Sequence, residues 1–148
     1  MRILLLDDSV KHRRAGVKQL QALGHEVVAL SDYGEARKRC ETEHFDVALL
    51  DLLMPAEPTT LGDEARKEFV GREIAIGFPL VLDISRRNIG KIAVVTDMNH
   101  HNHPMSAAVD WFRGATLLVN GAEVSIIHAP LCEDGSKDWG MVLAQIAS

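Results

Sequence analysis

Acidic side chains stand directly after short apolar runs in this chain, and they are the groups best placed to do chemistry. Asp7 and Asp8 follow Leu4-Leu5-Leu6, Asp51 follows Val47-Ala48-Leu49-Leu50, and Asp97 follows Thr96 at the end of the run from Lys91. Ionised carboxylates are rarely buried unless paired or metal-bound. An acid just past a buried-type strand therefore belongs at the rim of a sheet, where open α/β folds bind ligands. Purely structural roles are also open: Asp51 can cap the turn before Pro55, and Asp7 and Asp8 can cap the first helix. Behind Asp97 comes a polar loop with His100, His101 and His103. Imidazoles near carboxylates can bind Zn²⁺, Mn²⁺ or Fe²⁺, but adjacent histidines rarely both reach one metal, so a solvated or helix-capping loop is the default reading. His128, at the end of a later apolar run, is a further candidate.

These residues need elements to hold them. Residues 2–6 read as a buried-type strand, and Ser9 suits the N-cap of a helix over 10–23 that stops at Gly24, with Val17, Leu20 and Leu23 facing the sheet. Residues 25–30 read as a second strand, and Ser31 or Asp32 starts a helix to about Glu43 with Ala36 and Cys40 one turn apart inside. The run 47–50 is a third strand, buried on both faces. Residues 56–62 read as a loop, and 63–87 as a helix kinked or broken near Pro79. Residues 91–95 form a fourth strand, and Pro104 suits the first turn of a helix to about Arg113. Asn120-Gly121 between 116–119 and 122–127 is a strong hairpin signal, and Ser136 or Asp138 caps a last helix carrying Trp139, Val142, Leu143 and Ile146. The alternation implies a doubly wound α/β fold: a parallel sheet of about five strands, helices on both faces, and an optional extra β-hairpin near residues 116–127.

Composition sets outer bounds. With 148 residues, 47% hydrophobic and 25% charged, the chain suits one domain over 1–148. A net charge of −5 with scattered Lys and Arg gives no nucleic-acid footprint and no membrane-surface patch. The opening apolar run stops at Asp7, too short for a signal or a membrane span, so a cytoplasmic protein is expected. Cys40 and Cys132 lack a C-x-x-C partner and are expected to be reduced thiols.

Leu4-Leu5-Leu6-Asp7-Asp8-Ser9, Asp51-Leu52-Leu53-Met54-Pro55 and Thr96, in this order and on consecutive strand ends, resemble the receiver domain of bacterial response regulators, the CheY-like superfamily. The resemblance spans nearly the whole chain and weakens after Thr96. It implies a flavodoxin-like, stand-alone receiver in a two-component phosphorelay. In that role Asp51 is the phosphoacceptor, and Mg²⁺ is held by Asp7, Asp8 and Asp51. Thr96 is the switch hydroxyl that contacts the phosphoryl group, which carries roughly −1.5 to −2 charge by analogy with phosphoserine. Three carboxylates in one pocket repel one another, and a hard divalent cation neutralises them while polarising phosphoryl oxygens. Implied partners are a histidine kinase or phosphotransfer protein and a downstream target, with homodimerisation as an option. The only chemistry implied is gain and loss of the domain's own phosphoryl group.

The chain also departs from the pattern. The family carries a lysine after the last strand, next to a proline, and this chain is expected to have none: one alignment places His128 there, followed by Ala129-Pro130, and another places Asn120 or Gly121 there. The pocket is therefore expected to lack a permanent cation, unless His100 or His101 reaches in as a pH-dependent substitute. Asp97 takes the place of a usual small residue, and Val124-Ser125-Ile126-Ile127 lacks the family's aromatic. More negative charge favours a metal over a phosphate. Two further readings follow: a pseudo-receiver that binds partners without phosphorylation, and a metal-dependent hydrolase using Asp7, Asp8, Asp51, Asp97 and the histidine loop. A contact face formed by the fourth helix, last strand and last helix is expected, with the Asn120-Gly121 hairpin, Trp111, Phe112 and Trp139 as candidate anchors.

Overall fold

The computed structural model describes residues 1–97, 102–112 and 114–147. Short apolar runs form the sheet: β1 (Arg2–Leu6), β2 (Glu26–Leu30), β3 (Val47–Asp51), β6 (Lys91–Thr96), β7 (Thr116–Val119) and β8 (Ala122–His128). Their order is β2-β1-β3-β6-β8-β7, and every pairing is parallel except β7 with β8. Side chains alternate across the strands. Ile3, Leu5, Val47 and Leu49 pack on one face with α1 (Val10–Ala22) and α6 (Trp139–Ala147). Leu4, Leu6, Ala48 and Leu50 pack on the other, with α2 (Tyr33–Thr42) and α4 (Gly77–Ile84). Both faces of the central strands are thus covered, which is why their sequences are continuously apolar rather than alternating.

Most of the expected elements are present, with changes. The 63–87 helix is replaced by α3 (Asp63–Phe69), α4, and a small antiparallel pair of β4 (Met54–Pro55) with β5 (Glu73–Ile74). Gly71, at a φ of +79°, breaks the helical path before Ile74 can take its expected place in it. The expected kink or break near Pro79 is a break that falls earlier, between Phe69 and Gly77, and Pro79 itself lies in the first turn of α4, where a missing N–H costs no hydrogen bond. Leu23, expected to face the sheet, is the exposed C-cap of α1. The hairpin is present: Asn120 and Gly121 both have positive φ, as a two-residue type I′ turn requires, and β7 adds a sixth, antiparallel strand. After β6 the chain forms α5 (Pro104–Ala108) and a 3₁₀ turn to Phe112.

Candidate functional site

Parallel strands end together, so their C-terminal residues meet. The switch point where strand order reverses lies between β1 and β3, and Asp7, Asp8 and Asp51 converge there. Asp7 is fully buried and Asp51 is 6% exposed. Local structure fixes Asp7: its Oδ1 accepts from the Ser9 N–H at 2.8 Å, while the Arg13 guanidinium donates to the Asp7 and Asp8 carbonyls at 2.7 Å each. Ser9 caps α1 as its sequence position predicts. Behind Asp51, α4 approaches so closely that a Cβ on Gly77 would lie 2.9 Å from the Asp51 carbonyl oxygen.

The pocket does hold a permanent cation, which overturns the expectation drawn from the sequence. Lys137 Nζ is 2.7 Å from Asp7 Oδ2, 3.0 Å from Asp51 Oδ1 and 3.4 Å from Asp97 Oδ1, and the residue is fully buried. His128 is exposed at the end of β8, in register with Thr96, and the lysine arrives nine residues later. After β8 the chain runs through Ala129-Pro130 into a tight excursion in which Leu131 pairs with Lys137 and Gly135 makes the turn at a φ of +76°. Asp138 then caps α6 by accepting from the Met141 N–H at 2.9 Å. The usual spacing hides this lysine, but order reveals it: Lys137 is the only lysine after Lys91.

Charge and burial oppose each other in this pocket. Burial pushes the Asp51 carboxyl up, to about 8; Lys137 opposes the shift, and Asp7 and Asp8 add to it. Burial alone would pull the Lys137 ammonium down, but Asp51, Asp7 and Asp97 outweigh it and hold it above the ordinary lysine value. Asp97 is held below the usual carboxylate range: burial raises it, and Lys137 and His12 lower it further. His12, which no sequence pattern singles out, lies 3.0 Å by its Nε2 from Asp97 Oδ2. Thr96 is buried, with its hydroxyl 3.4 Å from that of Ser106 on α5.

The donor set suits a hard divalent cation. One carboxylate oxygen from each of Asp7, Asp8 and Asp51 lies within 4.8 Å of the others. Mg²⁺ holds its oxygens at about 2.0–2.1 Å, so Asp7, Asp8 and Asp51 would draw together to hold it. When bound, such an ion neutralises the carboxylates and polarises phosphoryl oxygens. His103 does not join this cluster; its Nδ1 accepts from the Met105 N–H at 3.1 Å and caps α5. His100 and His101 lie outside the described residues.

The three aromatics proposed as anchors have separate fates. Trp139 is fully buried in the core beside α1, and Phe112 packs against Phe78 with ring centroids 6.1 Å apart. Trp111 is 89% exposed. The polar edge of the buried Trp139 is satisfied across the fold: its indole N–H donates to the His12 carbonyl at 3.0 Å. Among the described residues no helix is long and apolar enough to cross a membrane.

No protein-family model matches the sequence, and no curated protein does. Solved structures do match in fold. The chemotaxis response regulator CheY4 of Vibrio cholerae is 19% identical, with a TM-score of 0.56 over 97% of this chain and 96% of its own. A two-component response regulator from Clostridium difficile is 16% identical, with a TM-score of 0.59 over 98% and 94%. A chain from the complex of histidine kinase ThkA with response regulator TrrA is 20% identical, with a TM-score of 0.51 over 99% and 98%. With its mainly parallel sheet covered by helices on both faces, the chain has the flavodoxin-like fold of these CheY-like structures.

Proposed function

We propose that the chain, as one domain over residues 1–148, is a phosphoacceptor receiver in two-component signalling, with Asp51 as the acceptor and Mg²⁺ held by Asp7, Asp8 and Asp51. The observation that carries this reading is the Lys137 ammonium between Asp7 and Asp51 at the carboxyl edge of the sheet. An incoming phosphoryl group brings negative charge into a pocket already crowded with carboxylates, and a buried cation is what lets it enter. In the step itself, an Asp51 carboxylate oxygen forms a bond to phosphorus as the donor's P–N or acyl-phosphate bond breaks, and the donor leaves with the electron pair. Lys137 then exchanges part of its contact with Asp51 for a phosphoryl oxygen, and Thr96 donates its hydroxyl to another. The expected donor is a histidine kinase or phosphotransfer protein; one structural neighbour is a chain of the complex of histidine kinase ThkA with response regulator TrrA.

Acetyl phosphate with Mg²⁺ should label the wild-type protein, and Asp51→Asn should abolish the label. Labelling that survives this substitution removes Asp51 from the role. One observation favours a second reading, the unphosphorylated pseudo-receiver: Asp97 adds a carboxylate to the pocket and shares the ammonium of Lys137. Failure to take up beryllofluoride or phosphate at saturating Mg²⁺, with a protein partner still bound, would select that reading.

A further inference from the structure

We propose that His12 is a positioning residue for Lys137, holding the lysine by its backbone with one ring nitrogen and steering one of its carboxylate partners with the other. Nδ1 of His12 accepts from the Lys137 backbone N–H at 3.1 Å. Nε2 is therefore the nitrogen that carries the hydrogen, and it faces Asp97 Oδ2 at 3.0 Å. Asp97 in turn offers its other oxygen to Lys137 Nζ at 3.4 Å. The ring thus closes a loop of contacts that starts and ends on the same lysine. His12 is itself held, because its carbonyl accepts from the Trp139 indole, whose ring lies 5.4 Å from Lys137 Nζ. Other contacts also tie this segment to α1, most of them through its backbone, and Gln19 Nε2 also lies 3.5 Å from Cys132 Sγ. Gln19 Nε2 donates to the Lys137 carbonyl at 3.3 Å, Gln19 Oε1 accepts from the Trp139 and Gly140 N–H groups, and Lys11 reaches the Asp134 carbonyl. Of these α1 side chains, only His12 touches both the backbone of Lys137 and a group that its ammonium contacts. A lysine delivered on a seven-residue excursion, rather than directly from a strand end, needs such a brace: its long side chain otherwise has many rotamers to lose.

The test reads the ammonium itself. A buried, hydrogen-bonded ammonium exchanges its hydrogens slowly enough to give a ¹H–¹⁵N cross-peak, assigned here by its loss in Lys137→Arg. The wild-type protein should show it. His12→Ala should broaden it beyond detection while the slowly exchanging amides of β1 and β3 keep wild-type protection. An unchanged cross-peak in His12→Ala, or none in the wild type, overturns the proposal. Should His12→Ala fail to fold, His12→Asn decides: its shorter amide can accept from the Lys137 N–H but cannot reach Asp97, so the cross-peak should persist at a shifted position, and an identical one overturns the proposal. A second arm rests on the phosphoacceptor reading: labelling of Asp51 by acetyl phosphate should slow roughly tenfold in His12→Ala, as for other losses of alignment. A wild-type protein that never labels counts against that reading alone and leaves the ammonium signal to judge His12.

Discussion

At the scale of single residues, the pocket is a balance between one buried ammonium and the carboxylates around it. Breaking a buried ion pair by removing one partner leaves the other charge uncompensated. Lys137→Ala should therefore destabilise the metal-free protein by about 3–5 kcal/mol, read by urea unfolding, with added Mg²⁺ restoring part of the loss. Asp51 acts through its proton. Its carboxyl is raised in the folded state, to about 8, so the folded protein keeps a proton there that the unfolded chain releases near pH 4. The stability linked to Asp51 is thus full below the unfolded value and is lost as pH rises through the folded value. A metal must displace that proton. Mg²⁺ should raise the melting temperature more at pH 8.5 than at pH 6, and an equal shift at both would show that Asp51 is not a ligand.

At the scale of elements, the strands deliver the acids and the helices set how closely the strand ends are backed. Gly77 stands where α4 meets the end of β3, and any Cβ there would lie 2.9 Å from the Asp51 carbonyl oxygen, the Leu52 Cα and Val94 Cγ1. Two of those neighbours are backbone and cannot swing away. Gly77→Ala should cost about 1–3 kcal/mol as overpacking and should weaken Mg²⁺ binding in a calorimetric titration by displacing Asp51. The lysine excursion is the element that sequence patterns miss. Its residues have no apolar period, and its shape rests on the Leu131–Lys137 pairing and the Gly135 turn. The hairpin at Asn120-Gly121 was legible because turn chemistry is local: both residues adopt the positive φ that a type I′ turn demands.

For the whole molecule, stability is concentrated where both sheet faces are covered. β1, β3 and β6 lie between two helical layers, whereas α3 has no buried residue and sits on the excursion between β4 and β5. Hydrogen exchange should accordingly find the amides of β1, β3 and β6 protected near the global unfolding free energy, and those of α3 exchanging orders of magnitude faster. Uniform protection across both would contradict this division of the fold.

Features that depend on near neighbours are readable along the chain. Apolar runs ending in acids set the strands and the rim positions of Asp7, Asp8, Asp51 and Thr96, and Ser9, Asp32 and Asp138 cap their helices from adjacent positions. Tertiary structure alone decided what those acids face. Lys137 is 130 residues from Asp7, and His12 is 85 from Asp97, so no local period or spacing could join them. The indole of Trp139 is likewise satisfied only across the fold, by the α1 backbone. Burial and distance, which exist only in the folded chain, turned a pocket expected to lack a cation into one built around a lysine.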